Sequence, residues 1–281
     1  MALASRVLVG GGSVLLSLLG RIGLHGALHA AERTWARTTA SALDLELEIT
    51  GLANVDPEQR YVIVALHEGL IDPIALLHLP LPLRFAARDE LFDWHALGRY
   101  LRATRQVRVD ERPDVVSLRR LYHDVAAAFD DGDSLVVFAQ GSVLGIEVAF
   151  RPGAFRIARQ LGRPVLPVVL AGSHLVWEHP FSPRVRLGRQ IKMSILPAIP
   201  SAGLDAAAPR RIERTMKRLA LVGSTPVRRF VPERDGWWDG YRFDIDPDFP
   251  DLADRVAAHR AAPGVVETAW QTRPSHPGDG L

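Results

Sequence analysis

Uninterrupted apolar segments constrain the fold of this chain more than any other feature of its sequence. Residues 61–66 (Tyr-Val-Ile-Val-Ala-Leu) and 164–171 (Pro-Val-Leu-Pro-Val-Val-Leu-Ala) are short, rich in β-branched residues and without polar alternation. Residues 134–139 (Ser-Leu-Val-Val-Phe-Ala) form a third segment of this kind. Such segments are typical of strands that are buried on both faces of a sheet. The expected class is therefore α/β, with helices over the sheet.

Helical patterns alternate with these strands along the chain. Helices are predicted over residues 94–100, 115–129, 154–161 and 210–222. Another helix is expected to open at Asp72 and Pro73, because Asp is a preferred N-cap and Pro suits the first helical position. Further strands are predicted over residues 43–50, 83–87, 107–109, 184–187 and 192–196. The order of these elements predicts a single domain with a mixed, largely parallel central sheet covered by helices.

The two ends of the chain differ from this middle part. We expect an N-terminal membrane-associating helical segment over residues 1–42, the α/β domain over 43–235, and a C-terminal extension over 236–281. The extension ends in a Pro- and Gly-rich tail from Pro263, which is expected to be loose. Its aromatic residues Trp237, Trp238 and Tyr241 fit equally an interfacial anchor or a flap over the core.

The N-terminal segment combines an apolar run with a basic stretch. Residues 7–19 are apolar but diluted by glycine, and they are fewer than the roughly 20 residues that a membrane-spanning helix needs. Beyond them a basic residue recurs at every fourth position: Arg21, His25, His29, Arg33 and Arg37. This pattern favours an amphipathic helix that lies on an anionic membrane surface. A signal peptide and a helical hairpin packed on the core are the alternatives.

Composition excludes several classes of function. The chain has no cysteine, which excludes disulfides, zinc-thiolate sites and thiol nucleophiles. Its net charge of +2 gives no indication of nucleic-acid binding, so no nucleic-acid partner is expected. Asp244, Asp246 and Asp248 alternate as in a calcium loop, but Phe249 stands where that loop needs glycine. They are expected to be turn and capping residues, and no metal site is predicted.

The candidate chemistry lies directly after the strand predicted over residues 61–66. His67 follows that strand and Asp72 opens the next helix, at the edge of the sheet where α/β proteins bind ligands. A loop of this length can fold the Asp72 carboxylate onto one imidazole nitrogen and leave the other nitrogen as a general base. The spacing alone is a weak signal, because a loop histidine and a plain helix N-cap explain it equally well.

Further blocks follow this pair in a fixed order. They are residues 87–91 (Ala-Arg-Asp-Glu-Leu), 107–112 (Val-Arg-Val-Asp-Glu-Arg), 138–144 (Phe-Ala-Gln-Gly-Ser-Val-Leu), 150–155 (Phe-Arg-Pro-Gly-Ala-Phe) and 162–168 (Gly-Arg-Pro-Val-Leu-Pro-Val). Together with residues 66–73, their order and spacing over about residues 45–200 resemble the glycerolipid acyltransferase family, typified by 1-acyl-glycerol-3-phosphate acyltransferases.

This resemblance implies an O-acyltransferase of phospholipid biosynthesis at the cytoplasmic face of a membrane. It would move a fatty acyl group from acyl-coenzyme A or acyl carrier protein, as co-substrate and without a further cofactor, to the hydroxyl of a lysolipid such as 1-acyl-glycerol-3-phosphate. His67 would be the general base and Asp72 the carboxylate that orients it. The residues implied to bind substrate are Arg88, Arg108, Arg112, Gln140, Gly141, Ser142, Arg151 and Gly153.

Four positions depart from the family's pattern, and the first is Leu66, where the family has Asn or an equivalent before the histidine. Gln140 replaces the usual Glu of the third block, Val143 replaces its usual Arg, and Glu111 stands where the second block has Arg. A change from Arg to Val removes a phosphate ligand. Either the predicted arginines above hold the phosphate, or the acceptor is not lysophosphatidic acid. Taken singly, those arginines equally fit solvated surface charges, except Arg151, which precedes a predicted helix start.

Two other functions remain open. The altered third block is compatible with a membrane-bound relative that binds lipid or acyl chains without catalysis, although lipid binding alone does not require His67 and Asp72. Gly141 and Ser142 suggest a hydrolase, but the nucleophile elbow Gly-x-Ser-x-Gly is incomplete because position 140 is Gln.

Overall fold

A seven-stranded sheet organises the chain in the computed structural model, which describes residues 16, 20, 25–178, 184–235, 238 and 242–262. Its strands are β1 (Glu46–Thr50), β2 (Val62–Ala65), β3 (Leu83–Arg88), β4 (Val107–Val109), β5 (Ser134–Phe138), β6 (Val165–Ala171) and β7 (Gln190–Ile195). Their order across the sheet is β1-β7-β6-β2-β5-β3-β4. Strands β6, β2, β5, β3 and β4 are parallel, while β7 pairs antiparallel with β6 and parallel with β1. The predicted mixed, largely parallel sheet is confirmed.

The helices of the described residues alternate with these strands. They are α1 (His25–Ala42), α2 (Asp72–Leu76), α3 (His95–Ala103), α4 (Val115–Asp130), α5 (Gly153–Gln160), α6 (Ala208–Val222) and α7 (Pro250–Ala261). Helix α7 was not predicted, because in this helix only Leu252 and Val256 are buried and its apolar periodicity is weak.

Two strand predictions need correction. Residues 184–187 do not form a strand. Only Val185 packs against the core, the other three residues are exposed, and the amide of Arg186 bonds to the Val176 carbonyl outside any ladder. The strand predicted over residues 43–50 begins only at Glu46. It is shorter because Leu43 continues the turn that ends α1 and Asp44 has a positive φ of 51°.

Strand β2 is buried on both faces and separates the two main apolar clusters. Ile63 and Ala65 face a cluster that includes α2, whereas Val62 and Val64 face a cluster that includes α4, α5 and α6. All four side chains are fully buried. Cover on both sides is the physical reason for the uninterrupted apolar run, since neither face of the strand meets water. It also fixes the position of the residues that follow β2.

A third apolar cluster joins the loop after β5 to the C-terminal part of the chain. Its buried members are Val143, Leu144, Val148, Phe230, Trp238, Phe243, Leu252 and Val256. Of the two interpretations of the aromatic segment, the flap therefore describes Trp238; Trp237 and Tyr241 lie outside the described residues. The ammonium of Lys217 on α6 ties the same parts together by donating to the Val148 carbonyl and to Asp246, at 2.9 and 2.7 Å.

Two of the three alternating aspartates of this region take part in ion pairs. Asp246 pairs with Lys217 and Asp248 with Arg214, while Asp246 also accepts the amide of Asp248 at 2.9 Å. Within the described residues, no cluster of His, Asp or Glu is arranged to hold a metal ion. Asp246 and Asp248 thus belong to ion pairs as well as to a turn.

Helix α1, from His25 to Ala42, is the described part of the N-terminal segment together with Leu16 and Gly20. The apolar run over residues 7–19 lies outside the described residues, apart from the buried Leu16. Of the basic residues that recur in this segment, Arg37 is exposed, but His29 turns toward the protein. In the part of the chain that the structure describes, no helix has both the length and the apolar composition to cross a membrane.

A buried ionic network fixes α1 to the body of the protein. His29 Nδ1 lies 3.1 Å from Glu32 and its Nε2 lies 2.8 Å from Asp133. The Tyr100 hydroxyl donates to Glu32 at 2.6 Å, and Arg84 contacts Asp133 at 2.5 Å. Asp133 directly precedes β5 and Arg84 is in β3, so this network lies at the end of the sheet opposite to His67.

The network predicts a pH-dependent stability. Burial alone would lower the pKa of His29, but its bonds to Asp133 and Glu32 outweigh burial and raise that pKa to about 9. Because this is above the unfolded value of roughly 6.5, the stabilisation is complete below that pH and is lost as the pH rises through about 9. We expect the free energy of unfolding to fall by up to about 3 kcal/mol over this window.

Urea unfolding at pH 6, 7.5 and 9 measures this loss, with His29→Gln expected to remove most of the pH dependence. His123→Gln, at a position that is 83% exposed, is the matched control and should keep it. Equal pH dependence in wild type and His29→Gln would contradict the assignment.

Candidate active site

The loop between β2 and α2 brings His67 and Asp72 into contact. His67 Nδ1 lies 2.7 Å from Asp72 Oδ2. The Asp72 side chain is fully buried, whereas that of His67 keeps 15% of its surface exposed. Within the described part of the chain, no hydrogen bond engages the other ring nitrogen, Nε2. The pair therefore combines a fixed, buried carboxylate with an imidazole that retains access to solvent.

The Asp72 carboxylate is held by the loop itself. Oδ2 also accepts the backbone amides of Glu68 at 2.7 Å and Gly69 at 3.0 Å. The expectation that Asp72 is a helix N-cap is wrong, because Ile71 occupies that position and Asp72 is the first residue of α2. Its side chain turns back toward the loop instead of into the helix. A plain capping role is therefore excluded, and the carboxylate bonds instead to the loop amides and to His67.

Phe138, at the end of β5, fixes the plane of the His67 ring. The two rings are stacked, with centroids 3.8 Å apart and planes 14° from parallel. The register of the sheet places Phe138 beside Ala65 of β2, two residues before His67. The stack covers one face of the imidazole and limits its rotation. Phe138 was not among the predicted site residues, although it is the first residue of the third block.

Gln140 connects the backbone of His67 to the loop that follows β5. The amide of His67 donates to Gln140 Oε1 at 2.7 Å, and Gln140 Nε2 donates to the Gly145 carbonyl at 2.8 Å. The side chain is only 1% exposed, so both polar atoms are satisfied inside the protein. A glutamate would supply the acceptor for His67 but, when ionised, no donor for Gly145. The local hydrogen bonds thus require an amide at this position.

Glu68 ties the same loop to the end of β6. Its Oε2 accepts the amide of Gly172 at 2.9 Å and lies 3.3 Å from His174 Nδ1. Burial is the main reason that the pKa of Glu68 is raised. Gly69 allows the close approach, since a Cβ there would lie 2.8 Å from the Ser173 carbonyl oxygen. The partners of Glu68 lie more than 100 residues away in sequence, so no local pattern indicated this contact.

Several predicted substrate-binding residues lie together next to this loop. Gly141 has a positive φ of 69°, and a Cβ at this position would lie 3.3 Å from Arg151 Nε. Arg151 donates its backbone amide to the Ala139 carbonyl at 2.8 Å. Arg88, at the end of β3, lies 3.4 Å from Glu111, which also attracts Arg151 electrostatically. Two arginines and a carboxylate therefore border the segment that carries Gln140.

The remaining predicted residues have other surroundings. Arg108 pairs with Asp89 at 2.8 Å and lies over the Phe92 ring, and Arg112 is exposed. The Ser142 hydroxyl is buried, with no hydrogen-bond partner among the described residues. Gly153 is the exposed first residue of α5.

Val143 occupies the interior of the third apolar cluster and is 3% exposed. A cationic side chain at this position would lose its hydration or open the cluster. The loss of the family's usual arginine is therefore coupled to the way in which the C-terminal part of the chain packs.

Comparison with known proteins identifies relatives of the central domain. Residues 46–171 match the model of the Acyltransferase family. A 1-acyl-sn-glycerol-3-phosphate acyltransferase of Chlamydomonas reinhardtii is 29% identical over 153 residues, which cover 52% of this chain and 45% of that protein. One from Limnanthes alba is 24% identical over 136 residues, which cover 47% and 48%. The chain thus spans about half the length of the curated relatives it matches.

A solved structure shows the same fold. The crystal structure of the 1-acyl-sn-glycerophosphate (LPA) acyltransferase PlsC from Thermotoga maritima aligns with a TM-score of 0.62 and 20% identity. The alignment covers 78% of this chain and 90% of that chain. The similarity therefore includes most of both folds, beyond the residues that the family model matches.

The bonds of Gln140 predict that restoring the family's glutamate is harmful. In Gln140→Glu the carboxylate would face the Gly145 carbonyl, so we expect the free energy of unfolding at pH 8 to fall by about 1–3 kcal/mol. The loss should shrink at acidic pH, because a protonated carboxyl can donate to that carbonyl. Denaturant unfolding at pH 8 and pH 5 measures both effects.

Gln160→Glu adds the same charge at an exposed position and is the matched control. A Gln140→Glu protein as stable as wild type at pH 8 would show that the amide bridge is not needed.

Proposed function

We propose that the protein is an O-acyltransferase acting on lysolipids in phospholipid biosynthesis, and the match of residues 46–171 to the Acyltransferase family model supports this proposal. The acyl donor is acyl-coenzyme A or acyl carrier protein, and the acceptor is a lysolipid such as 1-acyl-glycerol-3-phosphate. The observation that carries the proposal is the contact between His67 Nδ1 and the buried Asp72 Oδ2 at 2.7 Å. This contact is the arrangement that a general base for an alcohol needs.

In the proposed reaction His67 Nε2 accepts the proton of the acceptor hydroxyl as its oxygen attacks the thioester carbonyl. Asp72 accepts a hydrogen bond from Nδ1–H, which fixes the tautomer of His67 and stabilises the imidazolium that forms. The tetrahedral intermediate collapses by breaking the carbon–sulfur bond, and the imidazolium returns the proton to the departing thiolate. An ester and a free thiol result. The acceptor attacks directly, so this scheme uses no nucleophilic side chain.

The proposed oxyanion and acceptor contacts lie at Gly141 and Ser142. The Gly141 amide already donates to the Phe138 carbonyl at 2.9 Å. The buried Ser142 hydroxyl, unpaired among the described residues, therefore remains as the donor for a substrate oxygen. Gln140 acts one step away from the substrate in this proposal, by fixing the backbone of His67.

The acceptor's phosphate is proposed to bind beside Arg88 and Arg151. Arg151 lies next to Gly141, Arg88 is close enough to repel Arg151 electrostatically, and α5 begins at Gly153, two residues after Arg151. Arg108 and Arg112 are proposed as outer contacts, because Arg108 lies in β4 and Arg112 follows this strand. Charge-assisted bonds from guanidinium groups suit a phosphate monoester.

Membrane association is proposed through the N-terminal segment, residues 1–42, with the acyltransferase domain over 43–235 and the extension over 236–281. The exposed Arg37 of α1 and the lipid nature of the acceptor support an orientation toward an anionic surface, at the cytoplasmic face.

The proposal predicts distinct effects of changes at the two central residues. His67→Ala should lower kcat by about 100- to 10,000-fold, because the hydroxyl loses its base. Asp72→Asn should lower kcat by a factor of up to about 10,000, since an amide favours the wrong imidazole tautomer. The measurement is transfer from labelled acyl-coenzyme A and acyl carrier protein to a panel of lysolipids, read by lipid mass spectrometry.

His123→Ala, at an exposed site, is the control and should transfer normally. Undiminished transfer by His67→Ala would contradict the proposed base. If wild-type protein binds lysolipid without turnover across the donor panel, a non-catalytic lipid-binding relative is favoured. Thioester hydrolysis without an acceptor would instead indicate a hydrolase.

A further inference from the structure

The chain after α6 returns to the loop that carries the altered third block. The Ile146 amide bonds to the Arg228 carbonyl at 3.0 Å and the Ala149 amide to the Asp244 carbonyl at 2.8 Å. A bridge between Val148 and Ile245 lies beside them. The loop is therefore paired by backbone hydrogen bonds with segments outside the residues that match the family model.

Within this returning segment, Arg242 contacts Glu111 and Arg151 beside the candidate site. Its backbone amide donates to Glu111 Oε1 at 3.2 Å, and its carbonyl accepts a bond from Arg151 Nη2. Both polar groups of its main chain are thus tied to residues of the candidate acceptor site. The Arg242 side chain is exposed and does not need to break these bonds to meet a ligand.

The charges around Arg242 suit an anionic ligand. Burial is the main cause that lowers the pKa of Arg151, and repulsion from Arg88 and Arg242 acts in the same direction, while Glu111 and Asp244 oppose it. Arg88 is shared between Glu90 and Glu111, at 3.3 and 3.4 Å. Arg151 thus has two cationic neighbours, Arg88 and Arg242, and Arg242 is the exposed one of the two. A bound phosphate would relieve the repulsion among them.

The position of Val143 connects this arrangement to the departure from the family pattern. Val143 and Phe243 are buried in the same apolar cluster, and Phe243 directly follows Arg242. The packing that makes an arginine at position 143 unfavourable is therefore the packing that brings Arg242 to the site. Val143 removes one cation from the third block, and Arg242 of the C-terminal segment supplies another.

We propose that Arg242, together with Arg151, binds the phosphate of the acceptor and determines the preference for a phosphate-bearing lysolipid. This inference rests on the proposed function for the identity of the ligand. It assigns to the C-terminal segment a part in acceptor selection, in addition to its packing role.

The test is lipid binding by full-length Arg242→Gln, measured by calorimetry with a short-chain 1-acyl-glycerol-3-phosphate below its micelle concentration and with the matching monoacylglycerol. We expect the Kd of the phosphate-bearing lipid to rise about ten- to a hundredfold, and that of the monoacylglycerol to stay unchanged. Arg242→Lys should recover part of the loss because it keeps the charge. In turnover assays KM for the phosphate-bearing lipid should rise while kcat changes little.

Arg255→Gln, on α7 and paired with Glu233 at the surface, is the matched control and should bind like wild type. The melting temperature of Arg242→Gln should equal that of the wild type, because the hydrogen bonds of Arg242 are made by its backbone amide and carbonyl. The inference is overturned if Arg242→Gln binds both lipids like wild type, or if wild type does not distinguish them. Phosphate-dependent binding that needs Arg242, without any acyl transfer, would uphold the inference while refuting the proposed enzyme.

Discussion

One carboxylate oxygen, Oδ2 of Asp72, organises the region on which the proposed chemistry depends. It lies within 3.0 Å of three nitrogens: the Nδ1 of His67 and the amides of Glu68 and Gly69. The same atom therefore shapes the loop and orients the imidazole. These hydrogen bonds replace the water that Oδ2 has lost on burial. The turn cannot form in this shape without also placing the histidine.

The sheet supplies the remaining constraints from two neighbouring strands. Phe138 and Gln140, at the end of β5, fix the plane and the backbone of His67, and Gly172, after β6, bonds to Glu68. The parallel direction of these strands brings their carboxyl ends to one edge, so residues far apart in sequence meet around one ring. Strand β2 thus sets the position of the loop that carries His67, and residues at the ends of the neighbouring strands β5 and β6 fix the ring and the backbone within it.

The sequence was sufficient for the parts of the structure that local chemistry determines. Strands β2, β5 and β6 were predicted from their apolar runs. The contact of His67 with Asp72 was compatible with their spacing, but its prediction also needed the ordered blocks that resemble the glycerolipid acyltransferase family. The bridging role of Gln140 was not predictable, because it bonds to His67 across 73 residues. The burial of Val143 likewise depends on Phe243 and α7, and α7 itself has too weak a pattern to be predicted. The prediction that Asp72 caps the helix was wrong, because the preference of Asp for helix starts does not reveal a partner in the preceding loop.

The central claim is that Asp72 holds His67 in the tautomer with its proton on Nδ1 and leaves Nε2 as the base. Nitrogen-15 NMR of the imidazole side chains tests it directly, with the His67 signals assigned by their loss in His67→Ala. When the ring is neutral, we predict a protonated Nδ1 and an unprotonated Nε2 in wild type, and a shift away from this tautomer in Asp72→Asn. A neutral His67 that carries its proton on Nε2 in wild type would contradict the account.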